Sequence, residues 1–327
     1  MKTALTAFAL FLASLSAFAQ MERISVSGNQ FVKPDGSSVV FRGYNTSDPA
    51  KLEEQGKWRA DYFDELQSWG AQIVRFPVHP SRWEALGKSK YLELLDHGIR
   101  LAEERSMYVI IDWHSIGNLL EEKFYKPSYN TSLDQTKEFW KIISKRYGEN
   151  PTVAFYELFN EPTAQNGQLG DASWDDWKLL NEGLIDIIQN EGGLGICLVA
   201  GFNWAYDLTA AYEAPIARQN VAYVSHPYPQ KRPKPWESQW TADWGKMKEK
   251  APVILTEIGF SGAEEKGAHI PVISDESYGK AISEYCAAND ISFVVWVFDA
   301  EWSPSLFTNW DYLPSRHGAF FKKELTH

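Results

Sequence analysis

Apolar positions along the chain fall into eight short runs, at 39–44, 73–78, 108–113, 152–159, 196–200, 222–226, 253–257 and 293–298. Each is rich in β-branched or aromatic residues and lacks a regular polar face, as strands buried on both sides do. Between them the spacing changes to the helical period: Leu92, Leu95, Ile99 and Ala102 within 91–105, and Trp177, Leu180, Leu184 and Ile188 within 174–190. Ser173, three residues before Asp176, offers the second of these a capped start. Eight strands alternating with helices predict an α/β fold with a parallel sheet, and the count favours closure into a (β/α)8 TIM barrel over an open, doubly wound sheet. Upstream, 23–41 holds two alternating runs about Pro34-Asp35-Gly36, which predicts a short N-terminal β-hairpin.

In such a barrel the chemistry gathers at the C-terminal ends of the strands, so the residue closing each run matters most. The stretch 152–162, TVAFYELFNEP, runs apolar to Phe159 and then breaks. Pro162 cannot extend a ladder, which leaves Asn160 and Glu161 at the lip, where a low-dielectric wall favours a proton donor. An acid capping a helix in a βα loop is an equal reading of Asn-Glu-Pro alone. A second run, VILTEIG, carries Glu257 to its own lip, and two carboxyls on two strand ends are what glycoside hydrolysis requires.

Other strand ends are polar too. Arg75 lies inside IVRFPV and demands an acidic partner in the barrel. The third run ends in Asp112-Trp113-His114, the sixth in Ser225-His226-Pro227-Tyr228, and the eighth contains Trp296. Singly, His114 and His226 read as satisfied core imidazoles and Trp296 as packing. Together they occupy positions where a sequence serving stability alone would place Val or Leu.

In this order Arg75, His114, Asn160-Glu161-Pro162, His226-x-Tyr228, Glu257 and Trp296 resemble glycoside hydrolase family 5 of clan A, over essentially the whole mature chain. The resemblance implies that Glu161 is the acid/base and Glu257 the nucleophile, with retention of configuration and carboxyls about 5–5.5 Å apart. It implies further that Arg75 and Tyr228 hydrogen-bond Glu257 and favour its ionised form. Asn160 would bind the sugar 2-hydroxyl, His226 sit against Glu161, His114 bind substrate hydroxyls and Trp296 floor the site. Trp204, past the fifth run, is a further platform candidate, followed by Trp83, Tyr44 and Trp302. Trp240, Trp244 and Met247 recur at helical spacing and read as a buried helix face, and Trp113 should point outward to the helices. The implied activity is a secreted endo-β-1,4-glucanase, a cellulase acting on cellulose-type or mixed-linkage β-glucan. An endo-β-1,4-mannanase is the alternative with the same mechanism, and a non-catalytic carbohydrate-binding barrel a remote one.

Composition narrows the rest. The 327 residues suit one barrel domain, 20–327, and the net charge of −11 argues against nucleic acid. Residues 1–19, with Lys2, an apolar stretch from Ala4 to Leu15 and Ala17-Phe18-Ala19, read as a signal peptide. The mature chain is therefore expected outside the cytoplasm, not in a membrane, and as a monomer. Cys197 and Cys286 lie on elements that are not neighbours in the predicted barrel, so both should be free buried thiols. There is no H-E-x-x-H or Cys/His cluster, no complete G-x-S-x-G and no dinucleotide fingerprint, so neither a metal nor another cofactor is expected.

Overall fold

A computed structural model describes residues 21–163 and 169–326; the signal-peptide reading of 1–19 lies outside them. Eight parallel strands close a barrel: β1 (Arg42–Thr46), β2 (Ile73–Val78), β3 (Tyr108–Trp113), β4 (Val153–Glu157), β5 (Ile196–Ala200), β6 (Val221–Val224), β7 (Val253–Ile258) and β8 (Ser292–Phe298). Helices Ala60–Ser68, Lys88–Glu103, Leu133–Tyr147, Trp174–Asn190, Glu276–Ala288 and Arg316–Thr326 are the long members of the surrounding layer. All eight predicted strands are present, and the (β/α)8 barrel is the fold. Helix Trp174–Asn190 starts as anticipated, the Ser173 hydroxyl accepting from the Asp176 N–H at 3.1 Å.

Side chains alternate between the barrel interior and the helices. Outward residues such as Val74, Phe76, Val109, Ile111 and Trp113 join the core under the helices, where Trp113 stacks on Phe139 at 4.1 Å. Inward residues Ile73, Ile110, Phe155, Ile196, Leu198 and Ile254 fill the N-terminal end. β1 and β2 approach so closely at Gly43 that a Cβ there would lie 1.8 Å from the Ile73 carbonyl oxygen. Only glycine fits.

The predicted N-terminal hairpin is present, with one further strand ahead of it. The segment is a three-stranded antiparallel meander, Ser25–Ser27, Gln30–Val32 and Ser38–Val39. The Pro34-Asp35-Gly36 turn is where the sequence puts it, with Gly36 at φ +84°. A second turn at Gly28-Asn29, with Gly28 at φ +59°, divides the first run. The meander delivers Phe31 edge-on to Phe155 at 5.1 Å, closing the barrel floor.

Strand β4 ends at Glu157, two residues before the predicted limit. Leu158 and Phe159 then pack outward, and Glu161–Pro162 pair in parallel with Ile116–Gly117. Pro162 therefore closes a small secondary ladder rather than β4. Trp240, Trp244 and Met247 are buried as expected, but on a short helix, Glu237–Asp243, and the 3-10 turn after it. Both cysteines are free and buried. Among the described residues no helix is long and apolar enough to cross a membrane.

Candidate active site

The alternation that makes the barrel floor apolar makes the layer above it ionic. Two residues beyond Ile73, Ile110, Phe155 and Ile254 stand Arg75, Asp112, Glu157 and Thr256, all fully buried. Arg75 Nε and Nη2 grip both oxygens of Glu157 at 2.6 and 2.9 Å. Nη2 also reaches Asn160 Oδ1 at 2.7 Å and Asp112 Oδ2 at 3.0 Å. Nη1 donates to Asn45 Oδ1 at 2.9 Å and to Glu257 Oε1 at 3.0 Å. The acidic partner that Arg75 demanded is thus three carboxyls sharing one guanidinium. Their charge, outweighing the burial that opposes it, raises the Arg75 pKa further.

Glu257 reaches this layer through an irregularity. The β7–β8 register shifts between Leu255 and Ile258, and both of those residues face the helices. Thr256 and Glu257 are consequently both turned to the site. Thr256 Oγ1 donates to Glu157 Oε1 at 2.9 Å, and Glu257 Oε2 accepts from Tyr228 OH at 2.8 Å. The neighbouring β8–β1 register also shifts, between Val295 and Phe298, and there Trp296 leaves the alternation.

Glu161 is positioned from beneath by its backbone N–H, which donates to the Ser115 carbonyl at 3.1 Å. Its Oε1 lies 3.0 Å from His226 Nδ1, whose ring also stands 3.8 Å from Glu257 Oε2. The other ring nitrogen, Nε2, meets Thr256 Oγ1 at 2.9 Å. Burial lowers the pKa of His226, but Glu257, Glu157 and Glu161 together push it up to about 9. At neutral pH both ring nitrogens therefore donate. Glu161, His226 and Glu257 each offer a polar atom within 4.8 Å of the others, close enough to surround a cation. A cation there would have to displace the proton that the raised pKa of His226 keeps on its ring.

Electrostatics separate the carboxyls. Burial and the neighbouring carboxyls raise Asp112 well above its ordinary range, against the pull of Arg75. Glu157 is lowered despite its burial, because Arg75 and His226 both favour its charge. Glu257 is raised by burial, with His226, Arg75 and Tyr228 acting in the opposite direction. Arg75 and Tyr228 do favour its ionised form, as anticipated, but desolvation is the larger effect. His114 Nδ1 lies 2.6 Å from Asp112 Oδ2, and burial holds the imidazole pKa well below its ordinary value, so the ring is neutral.

All the residues singled out from strand ends converge here. Asn160, its Oδ1 on Arg75, keeps a buried Nδ2 with no partner among the described residues. Such a buried donor is available to a ligand. Trp296 lies parallel to His114 at 5.4 Å and to Trp302 at 5.8 Å. Its carbonyl accepts from His317 Nε2 at 2.8 Å. Trp204 borders the Glu161 side. It sits in a left-handed turn with Asn203, Trp204 and Ala205 at φ 59°, 55° and 53°. Lys231 anchors that turn, donating to the Asn203 carbonyl at 2.9 Å from 5.2 Å over the Trp204 ring.

Two platform candidates fail. Tyr44 is fully buried in β1 and turned outward, its hydroxyl on the Trp69 carbonyl at 3.0 Å. Trp83 is buried in helix Pro80–Leu86 against Phe139. Trp302 does reach the cleft. Sequence reasoning missed Glu157, Asn45 and Thr256. Glu157 carried a signal, since an acid within TVAFYELF poses the same pairing question as Arg75 in IVRFPV.

Comparison with known proteins assigns the chain to a family. The family model described as Cellulase (glycosyl hydrolase family 5) matches residues 32–301. A crystal structure of a β-glucanase from Saccharophagus degradans, in complex with cellotetraose, superposes with a TM-score of 0.93 at 42% identity. It covers 98% of this chain and 97% of that one. Endoglucanase A of Butyrivibrio fibrisolvens is 27% identical over 80% of this chain, and a cellulase of Thermoanaerobacterium sp is 28% identical over 70%. The chain spans 58% of the length of each of these two relatives.

Proposed function

The chain belongs to glycosyl hydrolase family 5, and we propose that within it the protein is an exported, retaining endo-β-1,4-glucanase acting on cellulose-type or mixed-linkage β-glucan. One observation carries the mechanism: carboxylate oxygens of Glu161 and Glu257 lie within 4.8 Å of each other. A closest approach of that kind suits the retaining geometry, in which the two carboxyls stand about 5–5.5 Å apart.

In the first step Glu257 attacks the anomeric carbon and the bond to the leaving oxygen breaks, while Glu161 delivers its proton to that oxygen. In the second, Glu161 takes a proton from water, whose oxygen displaces the Glu257 ester. Arg75 and Tyr228 hold the Glu257 carboxylate aimed, and the burial that raises its pKa leaves it poorly solvated and nucleophilic. His226, donating to Glu161, steadies the charge that Glu161 carries once its proton is gone. The unpaired Asn160 Nδ2 is placed to bind the 2-hydroxyl, a contact that strengthens toward the transition state. The glucan reading is supported by the cellotetraose bound to the Saccharophagus enzyme. The site residues themselves do not fix the orientation of the 2-hydroxyl, which distinguishes a glucan from a mannan.

The test is reducing-sugar release from carboxymethylcellulose, mixed-linkage β-glucan, glucomannan, galactomannan and xylan, with Glu257→Gln as blank. The expected result is release from the first two that disappears in the variant. Release mainly from the mannans would keep the mechanism and overturn the substrate. Nuclear magnetic resonance of the first product should show the β-anomer; an initial α-anomer would exclude retention.

A further inference from the structure

The cleft contains a second Asp–His pair, which none of the roles above uses. His79 directly follows β2, and its side chain is nearly buried. Its backbone N–H and its Nδ1 both meet Asp48 Oδ2, at 2.9 and 3.0 Å. Asp48 Oδ1 accepts from Tyr91 OH at 2.9 Å and from the Ala50 N–H at 2.8 Å. Four donors thus fix a fully buried carboxylate, and that carboxylate fixes the imidazole. His79 Nε2 has no partner among the described residues.

The surroundings of that nitrogen have the character of a sugar site. The His79 ring lies 4.6 Å from His114, 5.5 Å from Tyr129 and 5.3 Å from Trp302. Trp302 is itself fixed, because buried Asp299 Oδ1 accepts from its backbone N–H at 2.9 Å and from that of Glu301 at 2.6 Å. Asp299 Oδ2 in turn takes Ser47 Oγ and Lys51 Nζ, both at 2.6 Å. The Trp302 ring is tilted only 17° from that of Trp296, so the floor of the site continues onto it. Aromatic faces with a few convergent polar atoms are how pyranoses are bound.

The direction of the chain follows from the chemistry. Glu161 must face the leaving group, and Trp204, Lys231 and His226 gather on its side, from the ends of β5 and β6. Asp48, His79 and Trp302 follow β1, β2 and β8, and in the barrel order β2 stands opposite β6, which puts the pair on the glycone side.

We propose that His79 is a specificity-determining residue: its Nε2 hydrogen-bonds a hydroxyl of the second sugar on the glycone side, stacked on Trp302. This rests on the glucanase reading above. Two substitutions separate contact from support. In His79→Asn the amide nitrogen takes the place of Nδ1, keeping Asp48 and losing the cleft; in His79→Gln it takes the place of Nε2, losing Asp48 and keeping the cleft.

The experiment titrates cellotriose calorimetrically into each variant, made in the Glu257→Gln background so that nothing is cleaved. His79→Asn should weaken binding about tenfold and His79→Gln by less than roughly threefold. In the active enzyme, cleavage of cellotetraose in 18O-water should shift in His79→Asn away from the bond that leaves two sugars on the glycone side. Unaltered binding in His79→Asn, or an equal loss in His79→Gln, would overturn the contact. If the unsubstituted enzyme cleaves another glycan instead, the substrate reading fails on that protein alone. The same variants are then titrated with the trisaccharide of the glycan it does cleave.

Discussion

The two ends of this barrel are built by the same strands and obey opposite rules. At the floor, Ile73, Ile110, Phe155 and Ile254 point inward and meet Phe31 and Phe41 from the N-terminal segment. One inward layer higher the same strands present Arg75, Asp112, Glu157 and Thr256, equally buried. The floor gains from burial at about 25 cal/mol for each Å² of apolar surface. The upper layer loses by it, since each buried ion costs several kcal/mol before its partners repay the loss. The separation is a single β-period, two residues. Stability and chemistry are thus stacked along one axis, and the apolar end holds the strands that keep like charges together at the other.

The strongest challenge to this division is Glu257→Gln. If the upper layer carries the chemistry alone, turnover falls on the order of 10⁴-fold or more while the melting temperature holds or rises, since one buried carboxyl fewer competes for Arg75. Steady-state kinetics beside calorimetry decides; a large drop in melting temperature would mean that the layer also supports the fold. Glu161→Ala should follow with a loss of about 10²–10⁴-fold on natural substrates. Added azide should restore part of it on a substrate with an activated leaving group, giving the β-glycosyl azide, and no rescue would count against the acid/base role.

The converse change is at the floor. Phe155→Ala should cost about 3–5 kcal/mol of stability by urea titration, with kcat per folded molecule nearly unaltered. A kcat that fell with it would show the floor coupled to the site. The mildest test is pH. The His226 pKa is raised in the folded protein, so its contribution is whole below the ordinary value of 6.5 and is lost as pH climbs through about 9. Stability should therefore fall by at most a few kcal/mol over that window, and His226→Gln should flatten the slope. A slope unchanged in the variant would assign the loss to other groups.

The strands were legible in the sequence because a strand buried on both faces writes itself as an uninterrupted apolar run, bounded by residues that cannot continue it. The catalytic candidates were legible for the complementary reason: His114, Glu161, His226 and Glu257 are polar where such runs end, Arg75 is charged inside one, and their order along the chain matched a family. The three-dimensional site contains more. Glu157 was hidden within a run taken whole as strand, although its charge raised the same question as that of Arg75.

Other features had no local signature at all. Tyr44 and Trp302 are both aromatic residues near strand ends, yet one faces the helices and the other the cleft: Tyr44 takes its parity from the register of β1, whereas Trp302, beyond β8, is turned by its backbone bond to Asp299. The register shift in β7 brings Thr256 and Glu257 to the site together, against the alternation that regular pleating imposes. Asp48 and His79, 31 residues apart, become a pair only when β2 lies beside β1. The sequence by itself determined the elements, their order and the chemistry available at their ends, since these follow from local periodicity and residue type. Which of those groups share a proton, a guanidinium or a sugar was decided by closure of the barrel, because only closure brings the ends of eight separate strands to one place.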